Sequence, residues 1–152
     1  IDEIEQALLL KIIEKASGTC EKFQDFVLSS FKHLMIEDGV IDANEVKTIK
    51  SIIYGEGGAG GAKVNIKEAE WLFELNDAVT GKANHESWKA LMVEAITKYV
   101  LEDETSPNVV DDEEAEWLVA KIMKDGNLDE VEQAIVANIK SKATSISTKF
   151  TI

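Results

Sequence analysis

Apolar residues recur at helical spacing along almost the whole chain. In "FQDFVLSSFKHLM" (23–35) they return every three or four places, which marks one buried stripe on a helix. The same reading predicts helices near 2–16, 21–37, 42–54, 65–80, 85–102, 111–124 and 129–143. Strand-like alternation is scarce, and Pro107 is the one proline. The expected fold class is therefore all-α with about seven helices. The tail 144–152, "TSISTKFTI", is β-branched and polar, and its sequence fits an extended or a disordered segment equally well.

The helical stripe is used twice. Setting 23–38 against 88–103 without gaps matches Phe23 to Trp88, Phe26 to Leu91 and Val27 to Met92. Phe31 then meets Ile96, Leu34 meets Tyr99, and Ile36 meets Leu101. Both segments end in Glu-Asp, and with four residues inserted in the second copy Asp42 meets Asp111 and Glu45 meets Glu114. Each helix is thus expected to bury the same stripe. The pattern predicts a single domain over 1–152. It comprises a leading helix (2–16), one unit at 21–80, a related unit at 85–143 and the short tail.

Four helix starts share one grammar: an aliphatic residue, then Asp or Asn, then Glu three places on. They are Ile41-Asp42-Glu45, Val64-Asn65-Glu68, Val110-Asp111-Glu114 and Leu128-Asp129-Glu132. This is the capping box, in which the cap side chain accepts an orphan N–H and the Glu reaches back to the cap's own N–H. The string "EAEWL" occurs at 68–72 and 114–118, and reads as helix-start chemistry with Trp71 and Trp117 as core anchors.

Two of these starts follow Asp-Gly, as "DGVIDANE" (38–45) and "DGNLDEVE" (125–132). The stretches resemble the back half of a calcium-binding EF-hand loop. With Gly39 or Gly126 as the sixth loop residue, however, the first and third ligands would be Leu34 and Ile36, or Lys121 and Met123. Calcium needs oxygen there, so the standard loop is excluded.

Charge alters the picture more than composition does. At 45% apolar and 30% charged the chain is an ordinary globular one. Its 29 acids against 16 bases leave a net charge of −13, which repels phosphate backbones and disfavours nucleic acid. The partners this charge suits are cations and basic proteins. No apolar run is long enough to span a bilayer. No charged-then-apolar leader is recognisable, and the chain starts at Ile1 without Met, so trimmed ends are expected. The single Cys20 reads as a packed small residue and favours a reducing compartment.

The acids crowd two helix corners. Glu37, Asp38, Asp42 and Glu45 surround the first. Glu102, Asp103, Glu104, Asp111, Asp112, Glu113 and Glu114 surround the second. Carboxylates from the end of one helix and the cap of the next could hold a hard divalent cation such as Ca²⁺, Mg²⁺ or Mn²⁺. Solvated caps are the competing structural explanation.

Other motifs fail their context. "GEGGAG" (55–60) matches G-x-G-x-x-G but follows a helix, and with five of the nine glycines falling in 55–61 it reads as a connector. His33 and His85 lack the Glu-x-x-His spacing of di-iron bundles and read as surface residues. No nucleophile–base pair stands out, so no enzyme is expected.

Paired helices ending in Glu-Asp-Gly, followed by an aliphatic-Asp-x-x-Glu start, resemble the TerB-like family of tellurite-resistance proteins over about 2–143. The resemblance implies an all-α fold of seven helices in two pseudo-symmetric units. It also implies a non-enzymatic role in bacterial tellurite and stress resistance, with metal binding and protein docking in the cytoplasm at the inner face of the membrane. Peripheral membrane association would fit that setting. Carried over by position, the metal-binding acids are Asp38, Asp42 and Glu45 at the first corner, and Asp103, Asp111 and Glu114 at the second. The second corner departs from the pattern, since Glu104 stands in place of the Gly and four residues are inserted.

Overall fold

A computed structural model of the chain describes residues 3–15, 21–54, 63–102 and 106–152. Seven helices run through the described residues. They are α1 (Glu3–Lys15), α2 (Glu21–Met35), α3 (Ala43–Tyr54), α4 (Ile66–Val79), α5 (Glu86–Leu101), α6 (Asp112–Ile122) and α7 (Glu130–Lys142). Each lies within two residues of the span its periodicity predicts. The fold is all-α, with two strands of two residues, β1 (Val109–Val110) and β2 (Ser145–Ile146). The connector at 55–61, with its G-x-G-x-x-G match, and Cys20 lie outside the described residues.

The chain divides into two compact units, Ile1–Trp88 and Lys89–Ile152, and the division falls inside α5. In the first unit α1 packs on α3 and α2 on α4. Its fully buried side chains include Phe31, Ile41, Ile49, Leu72, Leu75 and Trp88. Two cross-helix ion pairs, Lys67–Asp25 at 2.6 Å and Lys32–Glu74 at 2.7 Å, flank the α2–α4 seam. Deep in this unit the Trp88 indole N–H donates to Asn76 Oδ1 at 3.3 Å. Trp71 is a buried anchor, as its place in "EAEWL" suggests.

The second unit buries Met92, Ile96, Leu118, Ile122, Ile135 and Ile139. Trp117 is only half-buried here and rests on Tyr99, ring centres 4.8 Å apart and tilted by 59°. Residues 145–146 of the tail pair in parallel with β1, in the register Val109↔Ser145 and Val110↔Ile146. Lys140 donates to the carbonyl of Ile152, and Phe150 is buried. So where the sequence left extended and disordered tails equally open, residues 145–146 form a strand docked on β1, and a turn follows in which the Phe150 N–H donates to the Ser147 carbonyl at 3.1 Å. The β-branched residues suit the ladder.

The repeated stripe is only partly repeated in burial. Along α5, Trp88, Leu91, Met92, Ile96 and Leu101 are buried. In α2, Val27 and Phe31 are buried, but Phe26, the counterpart of Leu91, is 52% exposed. The reason is rotational. The side of α2 against α4 carries Gln24, Asp25 and Lys32, each bonded to an α4 side chain. At 100° per residue, Phe26 lies ~200° round the helix from Gln24 and so points away.

Candidate functional site: the acidic helix corners

All four predicted capping boxes are formed. At α3 the Asp42 carboxylate accepts the Glu45 N–H at 2.8 Å, and Glu45 Oε2 accepts the Asp42 N–H at 2.8 Å. The same reciprocal pair closes α4 (Asn65, Glu68), α6 (Asp111, Glu114) and α7 (Asp129, Glu132). Both "EAEWL" strings begin on the box glutamate, which explains why the string recurs on helices that are not equivalent in the repeat. The aliphatic residue before the cap is buried at Ile41, Val64 and Val110, and half-buried at Leu128. At that fourth start a polar Gln133 holds the staple position and donates to the Leu128 carbonyl instead, at 3.0 Å.

"DGVIDANE" and "DGNLDEVE" adopt one turn. In each, the Asp carboxylate accepts the N–H two residues on: Asp38 from Val40 at 3.0 Å, Asp125 from Asn127 at 2.9 Å. Between them Gly39 and Gly126 sit at φ +78° and +81°, where a side chain is disfavoured. The Gly N–H closes back on the carbonyl three residues earlier, at Ile36 and Met123.

Within the first corner, Asp38 and Asp42 are exposed and Glu45 is half-buried. Partial burial raises the Glu45 pKa above the usual glutamate value. The Asp42 N–H opposes this, while the charges of Asp42 and then Asp38 raise it further. The three carboxylates thus feel one another, but each oxygen named above already accepts a backbone N–H. Ile41, between them, is pinned on both sides. Its N–H donates to Asn84 Oδ1 at 2.9 Å, and its carbonyl accepts the His85 N–H at 2.8 Å. His85 is exposed, as expected, but it has a role: its Nδ1 accepts the Ser87 N–H at 3.2 Å and so caps α5.

The second corner is built differently. Asp103 and Glu104 lie outside the described residues. The inserted stretch forms a turn through Asn108 (φ +62°) and then β1. Asp111 and Glu114 are half-buried in their box, while Asp112 and Glu113 are exposed. The Ser147 hydroxyl, and behind it the Lys149 ammonium, hold the Asp112 carboxyl below its usual range. Lys149 is raised mainly by Glu116. One tail cation, Lys149, therefore already neutralises part of this corner. Among the described residues no three of His, Cys, Asp and Glu gather in a way that could hold a metal ion.

Sequence reasoning missed two residues that organise the first unit. Asn84 joins the first corner to the α4–α5 loop, since its Nδ2 also donates to the Val79 carbonyl at 2.9 Å. Glu68 was legible as a cap but not as a buried bridge: Oε2 accepts the Asn65 N–H at 2.9 Å and Oε1 accepts Gln24 Nε2 of α2 at 3.2 Å. Both links span some forty positions, and no local pattern announces them.

The chain matches no protein-family model, no curated protein and no solved structure.

Proposed function

We propose that the chain is a non-enzymatic acidic helical module that docks a basic protein partner. The observation that carries this reading is the placement of the acids. In the first unit Asp42 stands exposed at the start of α3 and Asp38 stands exposed in the turn before it, and the reciprocal box fixes that start. Exposed carboxylates held in place at one helix corner favour a lysine- and arginine-rich surface and speed its association. The test is capture on an immobilised basic peptide across a salt series. Capture should weaken with salt and with the double change Asp38→Asn, Asp42→Asn, in which the turn bond from Val40 and the cap bond from Glu45 survive because Asn also accepts. Capture indifferent to salt and to both changes would refute it.

A second reading, a divalent-cation site at the first corner, is supported by the mutual repulsion of Asp38, Asp42 and Glu45. A Ca²⁺, Mg²⁺ or Mn²⁺ ion there would relieve it. This is also the role the TerB-like resemblance implies, with Asp103, Asp111 and Glu114 as the second set. That resemblance would place the protein in bacterial tellurite and stress resistance, in the cytoplasm near the inner face of the membrane. No helix among the described residues is long and apolar enough to cross one. A ligand of the folded state must stabilise it. Titration with each metal by calorimetry and thermal unfolding should then show heat and a raised Tm, lost in Asp42→Asn. Silence at millimolar metal would sink the cation reading and leave the docking one standing.

A further inference from the structure

Residues 144–152 lie on the second unit as a bound peptide would. The backbone adds a parallel strand to β1. The Thr144 N–H donates to the Asn108 carbonyl at 2.7 Å, and the Ser147 N–H to the Val110 carbonyl at 2.8 Å. Strand addition is a general mode of peptide recognition, in which the main chain gives affinity and side chains give selectivity. The side-chain contacts follow directly. The Ser147 hydroxyl donates to Asp112 and accepts the Lys149 N–H at 3.1 Å, so one hydroxyl ties the segment to α6 and shapes the turn after it. The Lys149 ammonium then bridges two acids of α6, Asp112 at 3.5 Å and Glu116. Phe150 is buried, and the Lys140 ammonium stands 5.7 Å from its ring centre.

The segment is attached to the core without being part of it. Met92, Ile96, Leu118, Ile122, Ile135 and Ile139, which fill this unit, come from α5, α6 and α7. Within 144–152 only Phe150 is buried, and the bonds to Asp112 and Glu116 are made at exposed side chains, where each holds weakly. A two-residue ladder, one ring and exposed ion pairs can open locally while the helices stay packed. The surface left behind then favours a replacement of the same kind. Asp112 and Glu116 stand four apart on α6, so their like charges repel when no cation lies between them. The Asn108 and Val110 carbonyls lose their donors, and an unpaired strand edge is a template for another strand. We propose that β1 and the first turns of α6 form a docking groove for an extended segment of a partner protein, and that residues 144–152 occupy it in cis as an autoinhibitory ligand. The resident segment defines the chemistry of the one that replaces it: a short strand, a hydroxyl, a lysine two places on and an aromatic ring directly after. The groove lies wholly within the second unit and does not depend on the corner proposed above for the first.

The test is fluorescence anisotropy of a labelled peptide, TSISTKFTI, titrated with the full chain. A tethered segment competes at an effective concentration on the order of millimolar, so the native chain should take up the peptide only near ~1 mM. The full chain carrying Ser147→Ala, Lys149→Glu and Phe150→Ala, which frees the groove, should bind it at least about tenfold more tightly. That gain should shrink with salt, and should vanish when Glu116→Lys is added or when the peptide itself carries Lys149→Glu. A peptide with Thr148→Ala and Thr151→Ala keeps the strand, hydroxyl, lysine and ring, and should bind as well as the parent. Circular dichroism of the triple variant should show the native helix content. Loss of that helicity would make the segment part of the fold and overturn the proposal. So would a folded triple variant that gains no affinity, or a gain indifferent to Glu116→Lys. Dimers of the native chain in sedimentation equilibrium, dissolved by the triple change, would make a second copy's segment the occupant and overturn the assignment to a partner.

Discussion

Glu68 is a carboxyl group placed where water hardly reaches it. Burial raises its pKa to about 7, against the opposing effect of bonds from the Asn65 N–H and the Gln24 amide. The folded chain therefore holds this proton more tightly than the unfolded chain, whose glutamate titrates near 4.5. Stability from this group is fully present below pH ~4.5, falls as pH rises towards ~7, and is level above that. The span corresponds to ~3 kcal/mol at most. Glu68→Gln should flatten that slope, because the amide does not titrate, and should raise the Tm above that of the native chain at pH 8. Urea unfolding at a series of pH values measures it, and an unchanged slope in the variant would show that the proton resides elsewhere. Gly39 makes a simpler case. A Cβ there meets nothing within 4 Å, so any cost of Gly39→Ala is backbone strain alone. At φ +78° that is about 1 kcal/mol, and Gly126→Ala at φ +81° should cost the same by denaturant midpoint.

At the scale of elements, the helix starts were the most legible feature of the chain. A capping box is a bond between neighbours three residues apart, so its whole geometry lies inside a short window of sequence. All four boxes formed as the spacing predicts. Asp111→Ala should cost ~1 kcal/mol through loss of the cap. Combining it with Glu114→Ala should cost less than the two separate changes together, since each disables the same reciprocal pair. Additive losses in thermal unfolding would mean that the two residues act apart. Burial was less legible than capping. The repeat correctly marked α2 and α5 as related helices, but it placed Phe26 on a buried stripe that the α2–α4 ion pairs turn outward. Trp117, expected as a core anchor like Trp71, is half-buried against Tyr99. Local periodicity says which residues share a face, not what will cover that face.

For the molecule as a whole, the charge of −13 works against compactness. The Lys67–Asp25, Lys32–Glu74 and Lys149–Glu116 pairs are exposed to partly exposed and offset little of it. Raising monovalent salt from low to near-physiological levels should therefore increase the Tm, because screening shortens the range of like-charge repulsion to ~8 Å. A fall in Tm over that range would mean that the attractive pairs outweigh the excess acids.

The helical class, the helix boundaries and the four caps belong to the sequence by itself, because each rests on interactions between residues at most a turn or so apart. The excluded EF-hand belongs there too, since a missing oxygen ligand needs no fold to detect. Only the tertiary structure decided which acids stand near one another, that Glu68 is buried between α2 and α4, and that Asn84 pins Ile41. It also decided that the tail becomes a strand beside Val109 and Val110, and that α1 keeps Ile4, Leu8 and Ile12 in the open. These are contacts between residues distant in the chain, or the lack of a cover, and neither has a signature in local spacing. The two Asp-Gly stretches show both sides. Their turn was written in eight residues each, and what surrounds the first of them was written forty residues away.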